Sequence, residues 1–250
     1  MNSDQSFKQV TPDAKLNQII SVYDKAAQLL ASIGLDPSNH KEETLRSVCQ
    51  QRHWSEVEVL DWVKKHHEDY SIQEDQHKQT DIDYDDSLPQ WITYLEEEFL
   101  KRSISLLDEI SDSFSRVHKI HGNQYPWLKN MEWHFNSFDE ALRLYYGFER
   151  NKFYPIALRL YNNDNGNVLD GTIRKLERSL KIIEDDQERL IKLKDVVKER
   201  GNNFKNPEGA CTTLCIMNHN FFELEEILEK QFRIEVENVI PIVRQELNVI

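Results

Sequence analysis

Glycine and proline are scarce in this chain, with 7 of each among 250 residues. Folds built from many tight turns, such as β-sandwiches and barrels, need more of both. Long apolar runs are also missing, and no stretch approaches the roughly 18 residues that a transmembrane helix requires. The 30% content of charged residues and the long stretches with helical periodicity instead predict an all-α protein.

Basic residues are outnumbered, with 31 Lys and Arg against 44 Asp and Glu and a net charge of -13. Nucleic acids and anionic membranes are bound through clustered Lys and Arg, so we expect neither as a partner. The three cysteines, an odd number, fit a reducing compartment better than a disulfide framework. The first ten residues lack the apolar segment of a secretory signal. We therefore expect a cytoplasmic protein.

Three regions of the chain differ in composition. Residues 1–68 predict a small domain of three short helices, the last of which is opened by a capping box at residues 55–58. Residues 69–87 are polar and acidic and predict a linker. Residues 88–250 carry four apolar stripes at steps of three and four residues, which predict four long helices. Short loops between them favour an antiparallel four-helix bundle.

Polar side chains interrupt three of these apolar stripes. The second stripe consists of Leu128, Met131, Phe135, Phe138, Leu142, Tyr145, Glu149, Phe153 and Ile156. The fourth consists of Leu214, Met217, Phe221, Leu224, Leu228, Gln231, Glu235, Val239 and Ile242. Gln187 lies on the third. A polar side chain in a core costs about 1–3 kcal/mol unless it finds a partner, so four at similar depth predict a central polar cluster.

Two segments of the chain repeat one another. In residues 148–156 and in residues 234–242, an apolar residue precedes a Glu, and Pro and Ile follow six residues after that Glu. A histidine four residues before each Glu would complete a pair of metal ligands on one helical face. Those positions hold Tyr145 and Gln231. The repeat therefore predicts the framework of a metal site without its histidines.

Several motifs resemble the iron–sulfur-cluster repair di-iron proteins, which join a small N-terminal domain to a hemerythrin-like bundle. The resembling segments, which extend over nearly the whole chain, are residues 207–213, Glu223 and Leu224, residues 235–241, residues 119–122 with Pro126 and Leu128, and Leu35 and Asp36 with Thr44 and Leu45. The resemblance implies a hemerythrin-like antiparallel four-helix bundle over residues 88–250. It also implies bridging metal carboxylates at Glu149 and Glu235.

The chain departs from this family at the positions that would carry its chemistry. Residues 38–39 are Ser-Asn, where the family motif has a Cys-Cys pair. The resemblance implies one histidine ligand on each bundle helix. In this chain those positions hold Leu100, Tyr145, Gln187 and Gln231, with Phe99 an equally good match to the first. We therefore expect a degenerate di-iron site, with Glu149 and Glu235 as residual carboxylates and no bound cofactor.

Two interpretations of the residual carboxylates remain open. Tyr and Gln side chains carry hydrogen-bond donors, so the substituted positions are suited to satisfying Glu149 and Glu235 without a metal. Alternatively, the two carboxylates, the amide oxygens and Glu96 are suited to a hard cation such as Mg, Mn or Ca. His66 and His67 are expected to be solvated and not to act as a ligand pair.

Three functions follow as hypotheses. The first is a non-catalytic binding or regulatory protein in stress or metal homeostasis. Its partner would be an unidentified protein, and a second copy of the same chain, in a homodimer, is an open alternative. The second is a metal-dependent iron–sulfur-cluster repair or nitric-oxide-handling protein, with iron at a reorganised carboxylate site. The third is a small-molecule sensor that uses the bundle core as its pocket. No Gly-rich phosphate loop, nucleophile elbow or zinc signature is present, so we do not expect an enzyme.

Overall fold

A computed structural model describes residues 10–23, 25–78, 87–162 and 170–248, with the backbone alone for residues 68–78. These residues are mostly helical and contain no β-strand, apart from an isolated bridge between Lys15 and Thr44. The predicted all-α class is confirmed. No helix in these ranges is both long and apolar enough to cross a membrane.

The described residues fall into two compact units, one from residues 1–81 and 206–219, the other from residues 82–205 and 220–250. The helices of the first unit are α1 (Leu16–Val22), α2 (Ala26–Ser32), α3 (Leu45–Gln51) and α4 (Glu56–Lys78), with a 3₁₀ turn at Pro37–Asn39. Four helices thus replace the three predicted, because Tyr23 adopts an extended conformation and ends α1 early.

The first unit differs from the predicted domain at both of its borders. Helix α4 continues to Lys78, into the region predicted as an acidic linker, and residues 79–86 of that region lie outside the described residues. Residues 206–219 also belong to this unit. The Trp54 indole donates to the Ala210 carbonyl at 2.9 Å, and the Ser55 amide donates to Thr212 Oγ1 at 2.8 Å. Such distant contacts leave no local signal in the sequence.

His66 lies inside the first unit, so the expectation that it is solvated is wrong. Its side chain is fully buried, with its ring 5.0 Å from that of Trp62 and 6.1 Å from that of His219. Its Nδ1 donates to the Trp62 carbonyl at 3.1 Å. Residues four apart share a helical face. Because the Trp62 side chain points into the core, the His66 side chain does so as well.

The second unit contains four long helical stretches, and three of them include a π-helical segment. The first is α5 (Leu88–Tyr94), a π segment (Leu95–Leu100) and α6 (Lys101–His121). The second is α7 (Trp127–Phe148), a π segment (Glu149–Phe153) and α8 (Tyr154–Tyr161). The third is α9 (Asp170–Arg200). The fourth is α10 (Thr212–Ile234), a π segment (Glu235–Val239) and α11 (Ile240–Asn248). Its residues 212–219 belong to the first unit.

Consecutive long stretches run in opposite directions where they touch. Between the first and second, His118 contacts Glu132 and Asp108 contacts Arg143. Between the second and third, Gly201 lies so close to Met131 that an added Cβ would approach its side chain to 2.8 Å, while Gln187 contacts Tyr145.

The second and fourth stretches run in the same direction. Phe135 packs on Phe221 with ring centroids 5.4 Å apart, and Tyr145 contacts Glu235. Partner residue numbers therefore increase together along these two stretches, and the two copies of the sequence repeat come to lie opposite each other.

The two copies of the sequence repeat become two π segments, which begin at Glu149 and Glu235. In each, the residue before the proline donates its amide proton to the Glu carbonyl five residues earlier, Tyr154 to Glu149 and Ile240 to Glu235. A proline in an α-helix lacks this donor and clashes with the carbonyl four residues before it. The wider π turn accommodates the proline, which explains why Pro follows each Glu at the same distance.

The π segments also move the apolar stripes by one residue. Ile156 and Ile242 were predicted to continue the buried faces, but both are only half-buried. Their neighbours Ala157 and Val243 are buried instead, each with 1% of its surface exposed. A π turn inserts one extra residue into the helix. The residues that face the core after the turn therefore lie one position later in the sequence than the α-helical period predicts.

An ion pair lies within the second unit, away from these repeats. Arg102 is 9% exposed and donates to both oxygens of Glu223, at 2.7 and 2.9 Å. Nearby, Asn220 donates to Glu109 Oε2 at 3.0 Å. Because this bidentate ion pair is mostly shielded from solvent, its charge-assisted hydrogen bonds link α6 to α10.

Replacing Arg102 with Met should lower the free energy of unfolding by about 2–3 kcal/mol, because Glu223, whose side chain is 12% exposed, loses two charge-assisted hydrogen bonds. The control is Lys192→Met, which breaks the exposed pair with Glu188, whose side chains are 71% and 70% exposed. That change should have little measurable effect. Urea titrations of both variants provide the comparison, and equal losses would contradict the assignment.

Candidate functional site

A buried group of carboxyl, amide and phenol side chains lies where the second, third and fourth long stretches meet. We call it the acid cluster, and its members are Tyr145, Tyr146, Glu149, Tyr154, Gln187, Gln231 and Glu235. The two carboxylates, Glu149 and Glu235, are 1% and 2% exposed. Gln187, at 6%, is the most exposed member. Water is therefore nearly excluded, and the polar atoms depend on one another for hydrogen bonds.

Glu235 receives hydrogen bonds from three of the positions at which the resemblance implies histidine. The Tyr145 hydroxyl donates to Glu235 Oε2 at 2.5 Å, and the Gln187 amide donates to the same oxygen at 2.5 Å. The Gln231 amide donates to Glu235 Oε1 at 2.7 Å. Both oxygens of Glu235 are thus satisfied by the three predicted side chains. The prediction included Glu149 as well, but the hydrogen bond to Glu149 Oε1 comes from Tyr154.

The Gln231 amide is held in one orientation by a second tyrosine. The Tyr146 hydroxyl donates to Gln231 Oε1 at 2.9 Å. The carbonyl oxygen of the amide is therefore engaged on one side, and its NH₂ group is directed at Glu235 on the other. Tyr146 acts on the carboxylate through this intermediate amide.

Glu149 has a different environment from Glu235. Its Oε1 accepts a hydrogen bond from the Tyr154 hydroxyl at 2.9 Å. Its Oε2 is buried and meets no donor among the described residues. A buried carboxylate oxygen without a donor is unfavourable, whereas a carboxylic acid can use that oxygen to donate a proton.

The pKa values follow from burial and from the proximity of the two acids. Burial, and then the charge of Glu235, raises the pKa of Glu149 well above its usual value. Burial also raises the pKa of Glu235 to about 7, although hydrogen bonds from Tyr145, Gln231 and Gln187 act to lower it. Burial therefore favours the protonated forms, and Glu149 holds its proton more strongly than Glu235, which receives three hydrogen bonds.

The three tyrosines remain protonated for the same reason. Burial is the main cause that raises the pKa values of Tyr145, Tyr146 and Tyr154, and the nearby carboxylates raise them further. The cluster is therefore a set of neutral hydrogen-bond donors around one or two carboxyl groups. It can hold a proton between Glu149 and Glu235 and shield it from solvent.

Three positions considered from the sequence do not join the cluster. Leu100 is half-buried at the end of the first π segment and has no polar atom to contribute, and Phe99 beside it is buried. Glu96 pairs instead with Arg150 at 3.2 Å, with a side chain that is 37% exposed. Among the described residues, no third His, Cys, Asp or Glu forms a group of potential metal ligands with Glu149 and Glu235.

Tyr146 and Tyr154 were not predicted as members. Tyr154 lies five residues after Glu149, a spacing that separates two side chains on an α-helix but aligns them across a π turn. The signal available in the sequence was Pro155, whose fixed distance from Glu149 marks the widened turn. Tyr146 had no such signal beyond its position next to Tyr145.

No family model matches the sequence, and no curated protein is significantly similar to it. The geometry and chemistry of the acid cluster are therefore the main guide to function.

Replacing Gln187 with Leu should destabilise the second unit by about 1–3 kcal/mol, because Glu235 Oε2 loses one of its two donors in a buried setting. Gln245→Leu is the matched control, since Gln245 is exposed on α11 and its loss should leave stability nearly unchanged. Urea unfolding is the measurement. A Gln187→Leu protein as stable as its parent would mean that this hydrogen bond does not stabilise the fold.

Stability should decrease as pH rises from about 4.5 to about 7, the usual and folded pKa values of Glu235. In this window folded Glu235 keeps a proton that the unfolded chain has released, so raising the pH favours the unfolded chain. Glu149, whose pKa is also raised, contributes in the same direction. The difference between the usual and the folded pKa of Glu235 corresponds to a loss of roughly 3 kcal/mol in the free energy of unfolding across this window.

The measurement is the urea midpoint at pH 5 and pH 7.5 for the parent and for the double variant Glu149→Gln/Glu235→Gln. The variant lacks the two titrating groups, so its stability should depend much less on pH over this range. All other ionisable groups are common to the two proteins. Parallel pH profiles would rule out the raised pKa values as a source of the pH dependence.

Proposed function

We propose that residues 88–250 form a hemerythrin-like antiparallel four-helix bundle and that the chain is a divergent relative of the iron–sulfur-cluster repair proteins. Two observations support the bundle. The contacts between the first, second and third stretches are antiparallel, while the second and fourth stretches are parallel and meet through the acid cluster. A four-helix bundle has antiparallel neighbours and parallel diagonal partners, and its cofactor sites lie between facing helices in the core.

In this proposal the bundle functions without a di-iron centre. The observation that carries it is the set of hydrogen bonds on Glu235, which come from Tyr145, Gln187 and Gln231. These are three of the four positions at which the resemblance implies histidine ligands. Imidazole offers iron a lone pair, whereas a phenol O–H and two amide N–H groups direct hydrogens toward the carboxylate.

The donor set around the carboxylates therefore does not fit two iron ions. Each hydrogen directed at Glu235 occupies a lone pair that a metal would need, and it repels a cation in a site with little water. The raised pKa of Glu149 supports the same conclusion, because a metal would have to displace a proton that this carboxyl group holds more strongly than usual.

The function that this site supports best is a non-catalytic binding or regulatory role, in stress or metal homeostasis as the resemblance implies. A site whose donors and acceptors satisfy one another stabilises the bundle and offers no open position for a substrate. Activity then depends on surfaces outside the cluster and on a protein partner.

A second candidate, a carboxylate metal site, is favoured by one observation. Glu149 Oε2 is the one carboxylate oxygen of the cluster that has no hydrogen-bond donor among the described residues. Deprotonation of Glu149 would be required before this oxygen could bind a cation. Metal analysis distinguishes the two candidates.

Protein purified from iron-supplemented cells should contain far less than one iron per chain, because the imidazole ligands are missing. Elemental analysis and the visible absorption spectrum are the measurements. About two irons per chain, the content of a di-iron bundle, would overturn the proposal. Stoichiometric Mg, Mn or Ca would favour the second candidate.

Restoring the histidines should restore iron binding if the bundle has the proposed architecture. The variant carries Leu100→His, Tyr145→His, Gln187→His and Gln231→His. The matched control adds Glu235→Gln, which removes a bridging carboxylate and should abolish the gain. A folded four-histidine variant that binds no iron would count against a hemerythrin-like arrangement, and circular dichroism checks that it is folded.

A further inference from the structure

A pocket of about 240 Å³ opens between α9 and α10 in the second unit. Its floor consists of Leu190, Leu228 and Phe232, which are 2%, 2% and 8% exposed. Ile191, at its rim, is 45% exposed. Pockets for drug-sized ligands have volumes of roughly 300–1,000 Å³, so this one suits a smaller molecule with a compact apolar body.

Two cationic side chains, Lys194 and Arg233, line the same pocket, but only one is neutralised. Lys194 contacts Glu225 at 2.7 Å and Glu229, the acidic residue of the pocket lining, at 3.5 Å. Arg233 is exposed and forms no ion pair with an acidic group among the described residues. The acid in the lining is thus already engaged by Lys194, and the guanidinium of Arg233 remains available.

We propose that this pocket is a binding site for a small monocarboxylate, with the apolar body against Leu228 and Phe232 and the carboxylate on Arg233. A guanidinium has a planar set of donors that matches a carboxylate in a two-point contact. The exposed apolar surface of Ile191 would be covered by the ligand, which adds a hydrophobic contribution. A cationic ligand is disfavoured, because the only acidic side chain of the lining is shared with Lys194.

The pocket and the acid cluster share a wall. The ring of Phe232 lies 5.7 Å from that of Tyr145, which donates to Glu235. A ligand that displaces Phe232 therefore alters the packing of the tyrosine that holds the carboxylate. The binding proposal does not depend on the metal content of the cluster. It can therefore fail while the proposed function stands, and the proposed function can fail while the binding proposal stands.

The test is calorimetric titration of the full chain with octanoate, with octan-1-ol and octylamine as probes of equal chain length. Octanoate should bind more tightly than either of the other two. Arg233→Gln should weaken octanoate binding by about tenfold, as expected for the loss of one charge-assisted contact, and leave octan-1-ol unchanged. Arg244→Gln is the matched control, because Arg244 is an exposed arginine of the same long stretch that pairs with Glu184. It should bind octanoate as the parent does.

A second variant tests the position of the site independently. Ile191→Glu adds a negative charge at the exposed rim, where the fold should tolerate it. Octanoate binding should then be lost, while octylamine binding should be unchanged or tighter. The proposal is overturned if the parent does not bind octanoate, if octanoate and octylamine bind equally, or if Arg233→Gln and Ile191→Glu bind octanoate like the parent.

Discussion

Burial of two carboxyl groups opposite each other is the constraint on which the second unit depends. Glu149 and Glu235 are both nearly inaccessible to water, and two adjacent charges in such a medium repel strongly. One group must therefore keep its proton, and the other must collect donors. Glu235 takes donors from three side chains, whereas Glu149 accepts one hydrogen bond, from Tyr154, and burial raises its pKa well above the usual value. Because these donors lie on different helices, satisfying the acids fixes how the helices pack.

Backbone geometry makes this arrangement possible. Each acid begins a π segment, and each segment ends just before a proline. The proline prevents a regular α-helix at this point, and the widened turn rotates the following residues relative to those before it. In the second stretch this rotation carries Tyr154 onto the face of Glu149, where it supplies the only donor that Glu149 Oε1 receives among the described residues. The sequence repeat is thus a repeat of backbone geometry as well as of side chains.

Much of this could be predicted from the sequence, and the failures have physical causes. Helical periodicity predicted the four long stretches and brought Tyr145, Gln187, Gln231 and Glu235 to one place, because side-chain direction along a regular helix depends only on spacing. It failed after the π segments of the second and fourth stretches, where one extra residue shifts the buried face from Ile156 to Ala157 and from Ile242 to Val243. It also missed the residues 206–219 that join the first unit, because contacts between distant segments leave no periodic pattern.

Compared with the metal-binding set that the resemblance implies, the side chains of the cluster differ more in charge than in shape. Gln and Tyr can occupy positions suited to histidine and point toward the same acids, so either set is compatible with the same helix packing. Two metal cations would stabilise two ionised carboxylates, whereas neutral donors leave the repulsion between two charges uncompensated. Burial, and then the charge of Glu235, raises the pKa of Glu149, and no cationic side chain of the cluster opposes either effect. In the proposed function the cluster stabilises the bundle, and specificity comes from surface features such as Arg233 and the apolar pocket beside it.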